Sequence, residues 1–180
     1  MKQLDKKLII DNWFWKVFQT FFETNGKKWN VLTMEKSKNT EAVFILPLTK
    51  NNEIIYLKEF KFWPNEYQFV IPAWWVENKS LEETAKDELL EETWYIAEEI
   101  IYIWKYNHNN YISWKIHLFI WINCDKIWWQ NLKDIEEIEV LKSSIEDFEN
   151  MIKNNEIHCP WSEIAFRKAK ELTNNFKNKS

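Results

Sequence analysis

The sequence predicts an α+β sandwich built on a mixed β-sheet. Three observations carry this. Stretches that alternate apolar and polar residues dominate residues 8–72 and recur at 97–106 and 113–123, the period of half-buried strands. One well-delimited helical segment interrupts them at 81–93, and two more close the chain. Strands and helices do not alternate strictly, which excludes a doubly wound parallel sheet and leaves strands packed on a few helices.

Taken in order, residues 8–34 (IIDNWFWKVFQTFFETNGKKWNVLTM) read as two strands joined at Asn25-Gly26, the dipeptide that suits a two-residue hairpin turn. The polar stretch 35–40 (EKSKNT) then separates an N-terminal strand pair, 1–40, from a main domain, 41–176. Strands are expected at 42–48, at 53–62 after the turn Lys50-Asn51-Asn52, and at 66–72. Ser80 followed by Glu83 is a capping box that starts the helix at 81. Strands at 97–106, 113–123 and 138–141 follow, then helices near 144–153, capped through Ser144 and Asp147, and near 162–175.

The 180 residues allow one domain with a full core and a small appendage. A net charge of −4 without a basic tail gives no footprint for nucleic acid. No apolar run reaches membrane-spanning length, and the start MKQLDKKLII lacks the pattern of a secretory signal. A cytoplasmic protein with no membrane partner is therefore expected. Cys124 and Cys159 are too few and too isolated for a disulfide framework or a zinc site, and His108, His117 and His158 lack ligand spacing.

Composition is abnormal in one respect: 13 Trp stand against a single glycine, Gly26, where ordinary chains carry about 7% Gly. Several Trp occupy places that call for glycine. Trp94 follows a helix end, Trp74 and Trp75 fall in an expected tight loop, Trp63 precedes Pro64, Trp128-Trp129 sits in a polar hairpin-like stretch, and Trp161 precedes a helix start. The chain is also rich in Lys, Asn, Ile and Glu and has one arginine, Arg167, the bias of an AT-rich genome. Some bacteria read the codon UGA as glycine, and translating such a gene with UGA as Trp would write this sequence. Trp15 and Trp29, in strand contexts, read as genuine tryptophans. A literally Trp-rich carbohydrate or nucleic-acid binder is the rival, and the codons decide between them.

The chemistry concentrates in 72–95 (PAWWVENKSLEETAKDELLEETWY), where Glu88, Glu91 and Glu92 have i, i+3, i+4 spacing. On a helix, Leu81, Ala85, Glu88, Leu89 and Glu92 fall within roughly 100° of arc, with Glu91 on the flank. Two carboxylates thus share the sector of the apolar stripe. Unpaired carboxylates beside a core cost several kcal/mol, and clustered oxygens suit a hard divalent cation. This predicts a metal site made by a helix and the loop before it.

At these residues the chain resembles the Nudix hydrolase family, whose box reads G-x5-E-x7-R-E-U-x-E-E-x-G-U. Glu88-Leu89-Leu90-Glu91-Glu92-Thr93 matches its E-U-x-E-E-x core, and Trp94 falls at its second glycine. Pro72-Ala73-Trp74-Trp75 is similar to the P-A-G-G entry of the ADP-ribose and ADP-sugar branch. The loop is about one residue short, Lys79 replaces the first box Glu, and Asp87 replaces the Arg. Because these two changes swap signs together, a reversed Lys79–Asp87 salt bridge is expected. The resemblance covers roughly residues 40–175 and implies an α/β/α sandwich with an N-terminal β-hairpin that serves dimerisation.

The resemblance further implies a Mg2+-dependent (or Mn2+-dependent) pyrophosphatase. It would split a nucleoside diphosphate linked to another moiety, such as a nucleotide-sugar, into a nucleoside monophosphate and a phosphorylated remainder. Metal ligands would be Glu88, Glu91, Glu92 and the carbonyl of Ala73. The general base would come from the acidic stretch 134–140, with Glu136 first and Glu137 second. Lys61, more than Lys58, stands near the branch's phosphate-binding Arg, and Tyr111 or Tyr106 would stack on a base. The loop 107–112 lacks the branch's proline, which loosens the link to ADP-ribose itself. A non-catalytic domain of the same fold that binds a nucleotide-sugar is the alternative, supported by the altered Lys79 and Asp87.

Overall fold

The computed structural model describes residues 1–13, 15–36, 41–61, 64–127 and 138–177, without the side chains of 173–177. The N-terminal segment forms its own antiparallel sheet of three strands, β1 (Lys2–Asp11), β2 (Trp15–Thr24) and β3 (Lys27–Lys36), in the order β1-β2-β3. The hairpin between β2 and β3 turns at Asn25-Gly26, both with left-handed φ, as the sequence predicts. β1 was not expected. All ten of its residues are exposed, so no alternation of burial marks it.

The main sheet follows: β4 (Glu41–Thr49), β5 (Ile54–Lys61), β6 (Glu66–Val70), β7 (Ala73–Trp75), helix α1 (Leu81–Thr93), β8 (Tyr95–Ile96), β9 (Glu99–Asn107), β10 (Lys115–Lys126), β11 (Ile138–Ser143), and helices α2 (Ile145–Lys153) and α3 (Pro160–Lys177). Its path runs β11-β5-β4-β10-β8, with β6 beside β5, β7 beside β4 and β9 beside β10. β4 and β10 pair in parallel at the centre, from Lys115 opposite Glu41 to Cys124 opposite Thr49, and the surrounding pairs are antiparallel. The sheet is therefore mixed, as expected.

Helices cover both faces. Alternate residues of β10 go to opposite sides: Ile116, Leu118 and Ile120 join Phe148, Phe166 and Ala169 from α2 and α3. Phe119 and Trp121 join Val43, Ile55, Ala85 and Leu89 beneath α1. A strand buried on both faces reads as an unbroken apolar run, which is how residues 118–122 (LFIWI) appear. α2 starts from Ser144, whose Oγ accepts from the Asp147 amide at 3.0 Å. α3 begins two residues before the expected 162, with Pro160 in its first position, where a missing N–H costs nothing.

Two corrections concern tryptophan. Trp74 and Trp75 do not form a tight loop. They lie in β7, paired with Val43 and Ala42, and neither has a left-handed backbone. Trp161 lies inside α3 and packs against Phe44 and Tyr106. Trp94 does match its expectation: it ends α1 with φ 59° and ψ 31°. Every other non-glycine residue with positive φ among the described residues is an asparagine, the residue type that tolerates this region best. Trp63, Trp128 and Trp129 lie outside the described residues.

Candidate active site

Helix α1 is fixed at both ends before it presents anything. Ser80 Oγ accepts from the Glu83 amide at 3.2 Å, and a Glu83 carboxylate oxygen accepts from the Ser80 amide at 3.0 Å. Thr84 Oγ1 donates to the Ser80 carbonyl at 2.9 Å. Lys79 and Asp87 form the expected reversed ion pair, which ties the preceding loop to the first turns of the helix. At the far end the Trp94 amide donates to the Leu90 carbonyl at 3.0 Å.

Between these anchors, Ala85 and Leu89 are fully buried on the sheet. The carboxylates flank that contact. Glu88 is buried, with 7% of its surface exposed. Glu92 carries an oxygen, Oε2, that is buried and has no hydrogen-bond partner. Glu91, on the flank, is exposed. Burial holds the Glu92 carboxyl well above the usual glutamate range. The charges of Glu88 and Glu59 and a hydrogen bond with Glu88 push it the same way, and Lys61 opposes them. Two carboxyl groups that share a hydrogen bond must hold a proton between them.

The sheet contributes residues from the side facing α1. Ile55 of β5 packs in the same cluster as Ala85 and Leu89, so Leu57, Glu59 and Lys61 lie on that face of the strand. Lys61 Nζ donates to Glu59 Oε2 at 2.5 Å. Lys61 thus lies on the sheet face that carries α1, together with Glu59, which sequence reasoning missed. A glutamate in a strand reads as solvated; its one signal was its i, i+2 spacing to Lys61. Lys58 points the other way, toward Glu139 at 3.6 Å and the Tyr67 ring at 5.6 Å.

Ala73 opens β7, which packs directly against α1 and pairs with β4 through Phe44. Its neighbour Trp74 sits opposite Val43, on the α1 side of the sheet, and is 43% exposed. Tyr111 is placed elsewhere: it is exposed, and it lines a cleft of about 530 Å3 between the N-terminal sheet and residues 107–115, with Lys6, Thr33, Asn109 and Trp114. Neither Glu88 nor Glu92 lines that cleft. Tyr106 packs in the cluster beneath α3, on the face away from the carboxylates. Glu136 and Glu137 lie outside the described residues. Among the described residues, no group of three or more His, Cys, Asp or Glu side chains is spaced to hold a metal ion unaided. None of the described helices is long and apolar enough to cross a membrane.

No protein-family model and no curated relative matches the chain. A solved structure does: the crystal structure of an ADP compounds hydrolase superposes with a TM-score of 0.82 over 97% of this chain and 94% of that one, at 16% identity. The fold is of the Nudix type. The likeness runs nearly end to end, so the N-terminal sheet belongs to the shared architecture as much as the sandwich does. Within this Nudix-type fold, α1 is the element on which the chain concentrates inward-facing acid; it packs on β4 and β7, and β5 adds Ile55 to the apolar cluster beneath it.

Proposed function

We propose that the protein is a divalent-metal-dependent Nudix pyrophosphatase of the ADP-ribose/ADP-sugar type, working on soluble nucleotides in the cytoplasm. The observation that carries this reading is buried Glu88 beside half-buried Glu92, whose Oε2 is buried without a partner. Such a pair fits a hard divalent cation, which would take the place of the shared proton and satisfy the orphaned oxygen. Glu88 and Glu92 would hold Mg2+ or Mn2+, with the Ala73 carbonyl beside them and Glu91 acting from the flank through water. Bound there, the cation supplies charge neutralisation of the diphosphate and a more acidic water.

The chain's own residues supply the rest. Lys61 offers a cation to the diphosphate from the sheet side. Glu136, or Glu137 in second place, accepts the proton of the attacking water. The water oxygen bonds to phosphorus, the bridging P–O bond breaks, and a nucleoside monophosphate leaves with a phosphorylated remainder. Tyr111 would meet a base only where the substrate extends into the cleft by the N-terminal sheet. The formed Lys79–Asp87 pair supports this reading, because the charge reversal keeps the loop tied to the helix.

We also infer that most of the tryptophans are glycines in the native protein. Support comes from Trp94, held in a conformation that its Cβ disfavours. Trp114 and Trp121 add to it, since their buried ring N–H groups have no acceptor. UGA codons at these positions, or the intact mass of the native protein, test it directly, and UGG codons would refute it.

Activity is tested by nucleoside monophosphate release from a panel of nucleoside-diphosphate-linked substrates, with Mg2+, Mn2+ or a chelator. The tryptophan-containing chain and its glycine-restored counterpart are compared throughout. Release that needs the metal and falls about a hundredfold or more in Glu92→Gln is the expected outcome. Binding without turnover under every condition would instead identify a non-catalytic nucleotide-sugar binder.

A further inference from the structure

Glu92 Oε2 is buried without a partner, while a lysine ammonium projects from β5 on the sheet face that carries α1. That ammonium, Lys61, is bonded to Glu59 instead, at 2.5 Å. The side chains of Glu59 and Lys61 are only 23% and 36% exposed, so their charges are partly withdrawn from water and feel each other more than a surface pair does. Both project from β5 on the face that meets α1, two residues apart, an arrangement the extended strand imposes.

We propose that Glu59 is a positioning residue: it holds the Lys61 ammonium on the strand side of the site, away from the helix carboxylates and toward the diphosphate. A lysine stem is long and flexible. Released from Glu59, the Lys61 ammonium collapses onto the partnerless Oε2 of Glu92 and occupies the place a divalent cation needs. Glu59 therefore does two things through one ion pair. It keeps Glu92 Oε2 clear for the cation, and it keeps Lys61 available for the phosphate. This rests on the pyrophosphatase reading above and extends it to a residue that touches neither substrate nor metal.

The test is a double-mutant cycle of Glu59→Gln and Lys61→Met. It reads KM, kcat and the Mg2+ concentration for half-maximal activity, with calorimetric binding of Mg2+·ADP in parallel and a thermal melt of each variant. Glu59→Gln is expected to raise both KM and the Mg2+ requirement about tenfold while kcat moves less. In the Lys61→Met background the Mg2+ effect of Glu59→Gln disappears, because no ammonium remains to compete. Glu59→Asp recovers part of the loss. An equal effect of Glu59→Gln with and without Lys61, or no effect on either quantity, overturns the proposal. If the unmutated chain binds Mg2+·ADP without hydrolysing anything, the pyrophosphatase reading fails, and the binding constants still decide the role of Glu59. If it neither binds nor hydrolyses, both readings fall before any variant is made.

Discussion

Glu92 shows how much one side chain is asked to do. Its carboxyl is raised well above 4.5 by burial and by the charges of Glu88 and Glu59. In the cation-free protein the folded state keeps a proton that the unfolded chain releases, so folding stability falls as pH rises from about 4.5 through the folded-state value. Melting temperatures in chelator are therefore expected to drop as pH rises above about 4.5. Glu92→Gln should flatten that dependence, and Mg2+ should reverse the loss at the upper end. A slope that survives unchanged in Glu92→Gln would assign the titration to another group. Trp94 makes the opposite case, a residue whose cost is conformational. Placing a residue with a Cβ in the left-handed region costs about 1–2 kcal/mol. Trp94→Gly is expected to recover about 1 kcal/mol, read as a higher melting temperature without loss of helix signal. Glu88, Glu92 and Trp94 were legible in the sequence because each sits at a fixed helical offset from an apolar stripe or a helix end. Glu59 was not, since its partner, Lys61, is on the same strand and its target is on another element.

At the scale of elements, α1 depends on its cap. Ser80 closes a complete capping box with Glu83, and its carbonyl also receives Thr84. Ser80→Ala is expected to cost about 1 kcal/mol and to loosen the first turn, where Lys79 and Asp87 meet. Denaturant unfolding measures the stability, and amide exchange at Glu83 and Thr84 shows where the loss falls. An undiminished midpoint would mean that the loop is held by β7 rather than by the helix cap. Elements with strong periodicity or a cap read correctly from sequence: α1 matches to the residue at both ends, and the central strands match within a few. β7 and β8 have three and two residues, too short to show a period, and they exist because β4 and β10 offer open backbone edges to pair with. β1 has its partner in β2 but no buried side, so hydrogen bonding alone defines it and no hydrophobic pattern announces it.

The whole molecule leaves one surface unexplained by a single copy. The N-terminal sheet meets the main body through a bridge from Met34 to Ile112 and the stacking of Trp15 on Trp114 at 5.1 Å. Lys36 adds a contact over the Trp75 ring at 3.5 Å, and burial pulls its ammonium down to about 8. Elsewhere the sheet is open: Leu8, Ile10 and Leu32 are 45%, 49% and 59% exposed. A few strands with little packing on either face gain scant stability alone, and exposed apolar residues on the two outer strands, β1 and β3, mark an interaction surface. A second copy of the chain is the partner proposed for it. The protein is then expected to sediment as a dimer, and Leu32→Asp with Ile10→Asp should shift it toward one copy while leaving the melt of the main domain in place. Because the cleft beside Tyr111 is walled by this same sheet through Lys6 and Thr33, the substituted protein should also bind nucleotide more weakly, with KM rising before kcat falls. A single copy at all concentrations, with unchanged nucleotide affinity in the double variant, would mean that the sheet serves neither assembly nor the site.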